Sequence, residues 1–281
     1  MIPRRTFYRK SVDVLMKVLS IVSSSIGIVF LAWILLVVIK RGAASLNIDF
    51  FIKLPTPPGI EGGGVGNALL GTLIITSLAT VIGVPVGILS GVYLSEFGKS
   101  TMLGRSVRFT LNVIMGVPSI IVGLFVYTLL VLPSGHFSGY AGAVALAVIM
   151  IPVVSRTTED MLNLVPNALR ESALAVGSSQ WKTTLQIVFR TAKSGLITGI
   201  LLAIARISGE TAPLLFTALN SPYWPESIRQ PTANLTVTIY NYAMSPFSVW
   251  QEIAWGASLL IMAAVLGFTV TTRFIAREAH R

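Results

Sequence analysis

Ala205-Arg-Ile-Ser-Gly-Glu-Thr-Ala-Pro-Leu-Leu-Phe-Thr217 places two charges, Arg206 and Glu210, inside an apolar run long enough to cross a bilayer. A charge at the centre of a bilayer costs about 2.5–3.5 kcal/mol on the most lenient insertion scale, so such residues face a pathway or an opposite charge. Four residues apart on a helix, Arg206 and Glu210 would share one face. Two readings follow: a self-neutralising structural pair, or part of a polar route through the membrane.

The rest of the chain is of one kind with this segment. Hydrophobic residues make up 53% of the 281 and charged residues 11%, with a mean hydropathy of +0.78, too apolar for a soluble domain of this size. Six apolar segments approach the roughly 20 residues that a spanning helix needs: Val18–Ile39, Leu69–Leu94, Val107–Leu132, Phe137–Val154, Gly195–Leu219 and Ile253–Phe274. The expected fold is therefore an all-α membrane protein with six transmembrane helices. The first run is too long for a cleavable signal, and no small-residue cleavage site follows it, so it is expected to stay as an anchor.

The net charge of +10 describes topology rather than nucleic-acid binding, because the basic residues flank the apolar runs. Arg4, Arg5, Arg9, Lys10 and Lys17 precede the first; Lys99, Arg105 and Arg108 follow the second. Arg156, Arg170, Lys182, Arg190 and Lys193 follow the fourth, and Arg273, Arg277 and Arg281 close the chain. The opposite side has only Lys40, Arg41, Lys53 and Arg229. By the positive-inside rule both termini are expected in the cytoplasm. The chain then divides into a cytoplasmic tail over 1–17, a first anchor helix over 18–39, a core of five spans over 69–274 with an inner loop at 155–194, and a cytoplasmic tail over 275–281.

Several chemistries drop out. The chain has no cysteine, and its two histidines, His136 and His280, stand apart, so neither thiolate chemistry nor a metal set is expected. Gly98-Lys99-Ser100 ends like a phosphate-binding loop, but the glycine required five residues earlier is Tyr93. No cofactor is expected on this chain; ATP and magnesium, if they drive it, belong to a partner.

Other features concern packing and loops. Gly83, Gly87 and Gly91 form a small-residue stripe, and Gly195 and Gly199 repeat the spacing, suiting close packing within the chain or a subunit interface. Pro85, Pro118, Pro152 and Pro213 are expected to bend their helices. The outer segment with Pro55, Pro57, Pro58 and Gly62–Gly66 should be irregular, its glycine amides a flexible connection or an anion nest. The outer loop from Asn220 to Gln251 is rich in proline and aromatics, fitting an interfacial belt or a docking surface, and Asn234-Leu-Thr236 matches a glycosylation tripeptide. On the inner side, Leu169, Ala173, Val176 and Gln180 fall at helical spacing around Gly177. This gives two short helices, either inserting into a partner's groove or lying on the headgroups.

Glu171-Ser172-Ala173 with Gly177 resembles the E-A-A-x-x-x-G loop of importer-type ATP-binding-cassette (ABC) permeases. Ser172 replaces the first alanine, and the later I-x-L-P appears as Ile187-Val188-Phe189-Arg190 without its proline. The run Arg206 to Pro213 is similar to the signature of PstA-type permeases of bacterial phosphate importers. So are Gly62–Asn67 with Gly71-Thr72, Val117-Pro118-Ser119-Ile120, Tyr242–Phe247 and Trp250-Gln251 with Ala254-Trp255.

The resemblance implies the type I ABC importer permease (MetI-like) fold in a cell inner membrane and no catalytic site on this chain. It implies four kinds of partner: a second, PstC-type permease subunit, a PstB-type ATPase dimer that binds ATP and magnesium, an external PstS-type phosphate-binding protein, and membrane lipid. It further implies ATPase coupling through Glu171, Ser172, Ala173 and Gly177, and a substrate pathway through Arg206, Glu210 and Thr211, with Arg206 touching the anion and Glu210 orienting and partly neutralising it. Three other readings remain: a permease for another oxyanion such as sulfate or molybdate, a secondary phosphate transporter, and a signalling scaffold reporting phosphate status.

Overall fold

The structure, a computed structural model, describes residues 4–278, with side chains described from 8 to 271; residues 279–281 of the expected C-terminal tail lie outside the described residues. Among the described residues the chain is helical, without a strand. Helix α1 (Arg4–Gly42) is followed by the short α2 (Ile48–Ile52), then α3 (Gly66–Val92), which ends in a π-helical turn at Tyr93–Phe97. Next come α4 (Met102–Gly116), α5 (Ser119–Val126) and α6 (Leu132–Ser134), α5 and α6 being joined by a π-helical turn at Tyr127–Val131. Helix α7 (Gly139–Asn163) precedes the inner pair α8 (Asn167–Ala175) and α9 (Gln180–Thr183), and α9 runs through a π-helical turn at Thr184–Val188 into α10 (Phe189–Ser208). The outer part comprises α11 (Ala212–Leu215) and α12 (Leu235–Ala243), and α13 (Ser248–Glu278) ends the fold.

Among the described residues five helices are long and apolar enough to cross a membrane. The sixth expected span, Val107–Leu132, is not one straight helix: α4 and the Ser119–Ser134 segment meet at 104°. The cause is local. Pro118 has no amide to continue the ladder and excludes the α conformation at Val117, whose ψ is 131°. Pro85 and Pro152, expected to act likewise, lie inside helices that continue through them, and Pro213 sits in the first turn of α11, where its missing donor costs nothing.

Three expected boundaries also shift. Helix α1 takes in the described part of the N-terminal tail, from Arg4, and α13 runs to Glu278 through most of the C-terminal one. The inner loop begins at Leu164 rather than at 155, because α7 extends to Asn163.

Helix α7 is the central post. Two-thirds of its most apolar window is buried (67%), against none of that of α1. The glycine stripe of α3 packs on it inside the chain. A Cβ at Gly87 would lie 2.7 Å from the Val154 side chain, and one at Gly91 would lie 2.5 Å from Thr158. Gly195 and Gly199 of α10 meet Met161 and Thr157 of the same helix. In lipid the apolar effect does not drive helices together, so backbone approach at small residues supplies dispersion contacts instead. A Ser155–Ser90 hydroxyl contact of 3.0 Å adds a polar tie between α3 and α7.

The irregular outer segment is as expected between Lys53 and Val65, and the amides at its end are engaged within the chain. Gly64 donates to Leu54 O, Val65 to Phe50 O and Gly66 to Lys53 O. The loop Asn220–Gln251 contains a helix that the proline-rich composition concealed. Asn234 is the N-cap of α12, its Oδ1 accepting from the Val237 amide at 2.9 Å, and at 1% exposure it is no glycosylation acceptor.

Candidate functional site

Helix α10 ends at Ser208, two residues after Arg206, so Glu210 lies beyond the helix and not on its face. The Gly209 and Glu210 amides close the end by donating to Arg206 O and Ile207 O, each at 3.2 Å. The expected i,i+4 ion pair is therefore absent. Among the described residues neither the Arg206 guanidinium nor the Glu210 carboxylate has an ion-pair partner within 4.0 Å. Apolar sequence continues to Leu219, which is why hydropathy carried the predicted span past its true end.

Both side chains nevertheless line one cavity, of about 240 Å³, together with Pro118 and Ser119 at the α4–α5 break and Ile149 and Pro152 of α7. Ile149 and Pro152 fall near the middle of the 25-residue α7, which places the cavity about halfway along that helix. Two interruptions of regular backbone thus converge at one level, Val117-Pro118 and Gly209-Glu210. Non-helical backbone at membrane depth is tolerated where it is buried in protein or lines a wet cavity. Neighbouring elements fix its position. A Cβ at Gly123 of α5 would lie 2.5 Å from Pro213 Cα, so α5 and α11 are in backbone contact. Thr236 of α12 donates its hydroxyl to Glu210 O at 2.9 Å. Thr211, expected beside the pair, does not line the cavity; its carbonyl accepts from the Leu214 and Leu215 amides and so starts α11.

The inner segment folds as two short helices about a glycine. Gly177 has φ +85°, its amide donates to Leu174 O at 3.0 Å, and the Ser178 amide donates to Ala173 O at 3.1 Å. That is a Schellman closure of α8, which favours glycine at this position. Ala173 faces the protein, whereas Glu171 and Ser172 are exposed. Val176 is 85% exposed, and Trp181 and Leu164 are exposed too, an apolar fringe around the turn. The proline missing from Ile187–Arg190 has a visible consequence: α9 passes into α10 without a break.

The sequence reading missed the charges that hold this inner end. Arg108 and Arg170, counted there only as topology signals, are internal partners. Arg108 Nε donates to Glu159 at 2.7 Å and its Nη2 to Leu94 O at 2.7 Å. Arg170 engages Glu96 from Nη2 at 2.8 Å, and Glu96 and Glu159 side chains are each 6% exposed. The available signal was two acidic residues at span ends on the side rich in arginine.

A cleft of about 510 Å³ opens between Thr56, Asn67, Ser221, Tyr223, Tyr242 and Trp250. Tyr242 stacks on Trp250 with centroids 4.5 Å apart, and burial pushes its phenol up to about 12, so it remains neutral.

The profile of the family described as binding-protein-dependent transport system inner membrane component matches residues 83–281. The chain is 49% identical over 269 residues to the phosphate transport system permease protein PstA of Haemophilus influenzae, covering 96% of this chain and 95% of that one. The chain belongs to the PstA permease family. A probable family member from Methanocaldococcus jannaschii is 39% identical over 221 residues, 78% of either chain. The PstA-type chain also shares its fold with solved ABC importers. An inward-facing MetNI methionine transporter superposes with a TM-score of 0.62 at 21% identity, covering 78% of this chain and 95% of that one. A bacterial alginate transporter does so with a TM-score of 0.67 at 14% identity, covering 99% of this chain and all of that one (100%). The fold class is thus the type I, MetI-like importer permease, and the protein is a multi-pass membrane transport component.

Proposed function

We propose that this chain is the membrane-spanning permease of an ATP-driven phosphate importer, and that the Arg206–Glu210 cavity is a point on the anion's route. The observation that carries this reading is Arg206 itself: exposed, without an ion-pair partner among the described residues, and set where two helix breaks meet about halfway along α7. Lipid does not tolerate such a group, so its open side faces water or a second permease subunit. A planar guanidinium matches a phosphate edge with two parallel hydrogen bonds. Discontinuous helices at the midplane are the usual architecture of a transport site. Glu210, not engaged by Arg206, limits how tightly the cavity holds an anion, so that the ion leaves after it enters. Thr211 acts from outside the cavity, by starting α11.

ATP and magnesium bind on a partner ATPase dimer, which docks on the exposed face of α8 around Glu171, Ser172, Val176 and Gly177. Closure of that dimer drives alternating access, and an external binding protein delivers phosphate. Both termini lie in the cytoplasm, on the side rich in basic residues. In a reconstituted complex, phosphate-loaded binding protein should stimulate ATP hydrolysis while sulfate and molybdate should not; equal stimulation by sulfate would replace the substrate assignment. Single cysteines at Glu61 and Ser227 should label from outside in intact cells and one at Ser179 should not. Labelling at Ser179 would reverse the orientation.

A further inference from the structure

The inner end of α3 is where the described elements of the cytoplasmic side are joined. Its π-helical turn, Tyr93–Phe97, leaves end-of-helix carbonyls without intrahelical partners. Side chains from other helices take them. Arg108 of α4 donates to Leu94 O at 2.7 Å and Gly98 O at 3.3 Å, and Gln180 of α9 donates to Glu96 O at 3.1 Å. Ser95 donates to Asn163 Oδ1 at the end of α7, at 3.1 Å.

The Glu96 carboxylate, in turn, receives the Arg170 fork from α8, at 2.8 Å from Nη2 and 3.3 Å from Nε. The same guanidinium donates to Leu162 O at 2.7 Å and to Val165 O, so it also closes the end of α7. Arg170 is 13% exposed and Glu96 6%. Arg170 and Glu171 are chain neighbours with opposite duties: one is fastened to the spans and the other faces out.

We propose that the Arg170–Glu96 pair is the joint through which displacement of α8 is passed to the spans, which makes both of them positioning residues for transport. This rests on the reading that an ATPase docks on α8. The chain offers α8 a covalent connection to α7 over Leu164–Pro166 and to α9 over Val176–Ser179. Asn163 of α7 and Gln180 of α9 each add one neutral hydrogen bond to the turn, but neither linker ties α8 itself to α3. The Arg170 fork does, because Glu96 sits on the turn that Arg108 holds from the other side. A buried, bidentate, charge-assisted pair keeps its geometry under load better than an exposed one. Lysine at 170 would keep the charge and lose the fork.

The test uses the assembled complex. With Glu96→Gln and, separately, Arg170→Lys, the ATPase should co-purify at wild-type level and its basal hydrolysis should continue. Phosphate imported per ATP should fall about tenfold, within the roughly 5–150-fold span of coupling free energies. Unchanged import per ATP in both variants would overturn the joint. If either variant fails to assemble, a second arm decides. The chain has no cysteine, so Glu96→Cys with Arg170→Cys permits selective bridging by a membrane-permeant bismaleimide. Bridging should restore import per ATP; no recovery, or a block, would overturn a rigid joint. Val176→Cys cross-linking to the ATPase examines the docking surface separately: its failure removes the underlying reading, whereas its success with full coupling in Glu96→Gln removes the joint alone.

Discussion

Along α7, Ile149 and Pro152 line the cavity that holds Arg206 and Glu210, whereas about two turns further on Glu159 takes the Arg108 guanidinium at 2.7 Å. Both regions contain an arginine and a glutamate, four residues apart at Arg206 and Glu210 and on separate helices at Arg108 and Glu159. At the inner end the buried carboxylates are tied, Glu159 to Arg108 and Glu96 to Arg170, and the two arginines give further donors to helix-end carbonyls. Halfway along α7 the two charges share a space and not a bond, between two interrupted helices. Paired charges at the inner end fasten elements to one another, while under the proposed function the unpaired arginine keeps its donors for the anion. The difference lies in pairing and burial, not in residue type, and it can be broken.

The largest effect is expected at the unpaired site. Arg206→Gln should reduce uptake of labelled phosphate to background, on the order of a hundredfold or more by analogy with loss of a charge-assisted anion contact, while the complex still assembles. The swap Arg206→Glu with Glu210→Arg retains net charge in the cavity but moves the cation from the last turn of α10 to the segment past its end. If only net charge mattered, the swap would transport normally. A position-dependent contact predicts that it does not. Near-normal uptake at equal abundance would reduce the cavity to a structural feature, and uptake retained by Arg206→Gln itself would remove Arg206 from the anion's route.

Next comes the paired end. Arg108→Gln leaves the Glu159 carboxylate, 6% exposed, with Arg156 at 3.7 Å as its nearest cation. Stranding a buried charge costs on the order of 3 kcal/mol, and Leu94 O and Gly98 O lose their donor as well. The expected fault is therefore abundance: less chain in the membrane, with near-normal uptake per assembled complex. Thermal melting of the detergent-solubilised complex separates this from the Arg206 phenotype. A stable, abundant and inactive Arg108→Gln protein would mean that the two regions do not differ in the way described.

What the sequence disclosed followed from local physics. Hydropathy located the spans, glycine spacing marked the face of α3 that packs closely without naming its partner, and Gly177 announced its turn because a positive φ is hard for other residues to adopt. What stayed hidden depended on distant partners or on competing local signals. Glu96 and Arg170 stand 74 residues apart, so no window contains both. The end of α10 was masked by apolar residues on both sides of Gly209, and α12 by the prolines around it. Arg206 and Glu210 were legible as the candidate site, but their geometry was not. A spacing of four implies a shared face only if the helix continues, and here it stops after two residues.

A milder effect is expected at Gly177, where space is not the constraint: a Cβ there would meet nothing within 4 Å. The φ of +85° is the constraint, worth about 1 kcal/mol for a residue that does not readily enter the left-handed region. Gly177→Asn, which tolerates that region, should keep ATPase association near wild type. Gly177→Ala should weaken it several-fold in pull-down, and Gly177→Asp should lower stimulated hydrolysis further by placing a charge beside the exposed Val176. Asn and Ala variants that behave alike would detach the turn's backbone conformation from coupling.

The smallest effect should come from Arg156, which is also a basic residue on the inner part of α7 and carries the same formal charge as Arg108. Its side chain is 50% exposed, and its partners Asp160 at 3.3 Å and Glu159 at 3.7 Å leave it in contact with solvent. Exposed pairs at this helical spacing contribute about 0.3–0.5 kcal/mol, because water screens the attraction and two long side chains lose freedom in forming it. Glu159 keeps its shorter bond from Arg108 when Arg156 is removed. Arg156→Gln should therefore match wild type in abundance, melting temperature and phosphate uptake, within about the spread of surface substitutions. The comparison of Arg108→Gln with Arg156→Gln holds charge type, helix level and one shared carboxylate constant while changing burial and the carbonyl contacts. Equal losses in the two variants would show that net positive charge at the inner rim, rather than the buried joints, sets stability there, and the contrast between the middle and the inner end of α7 would have to be drawn on different grounds.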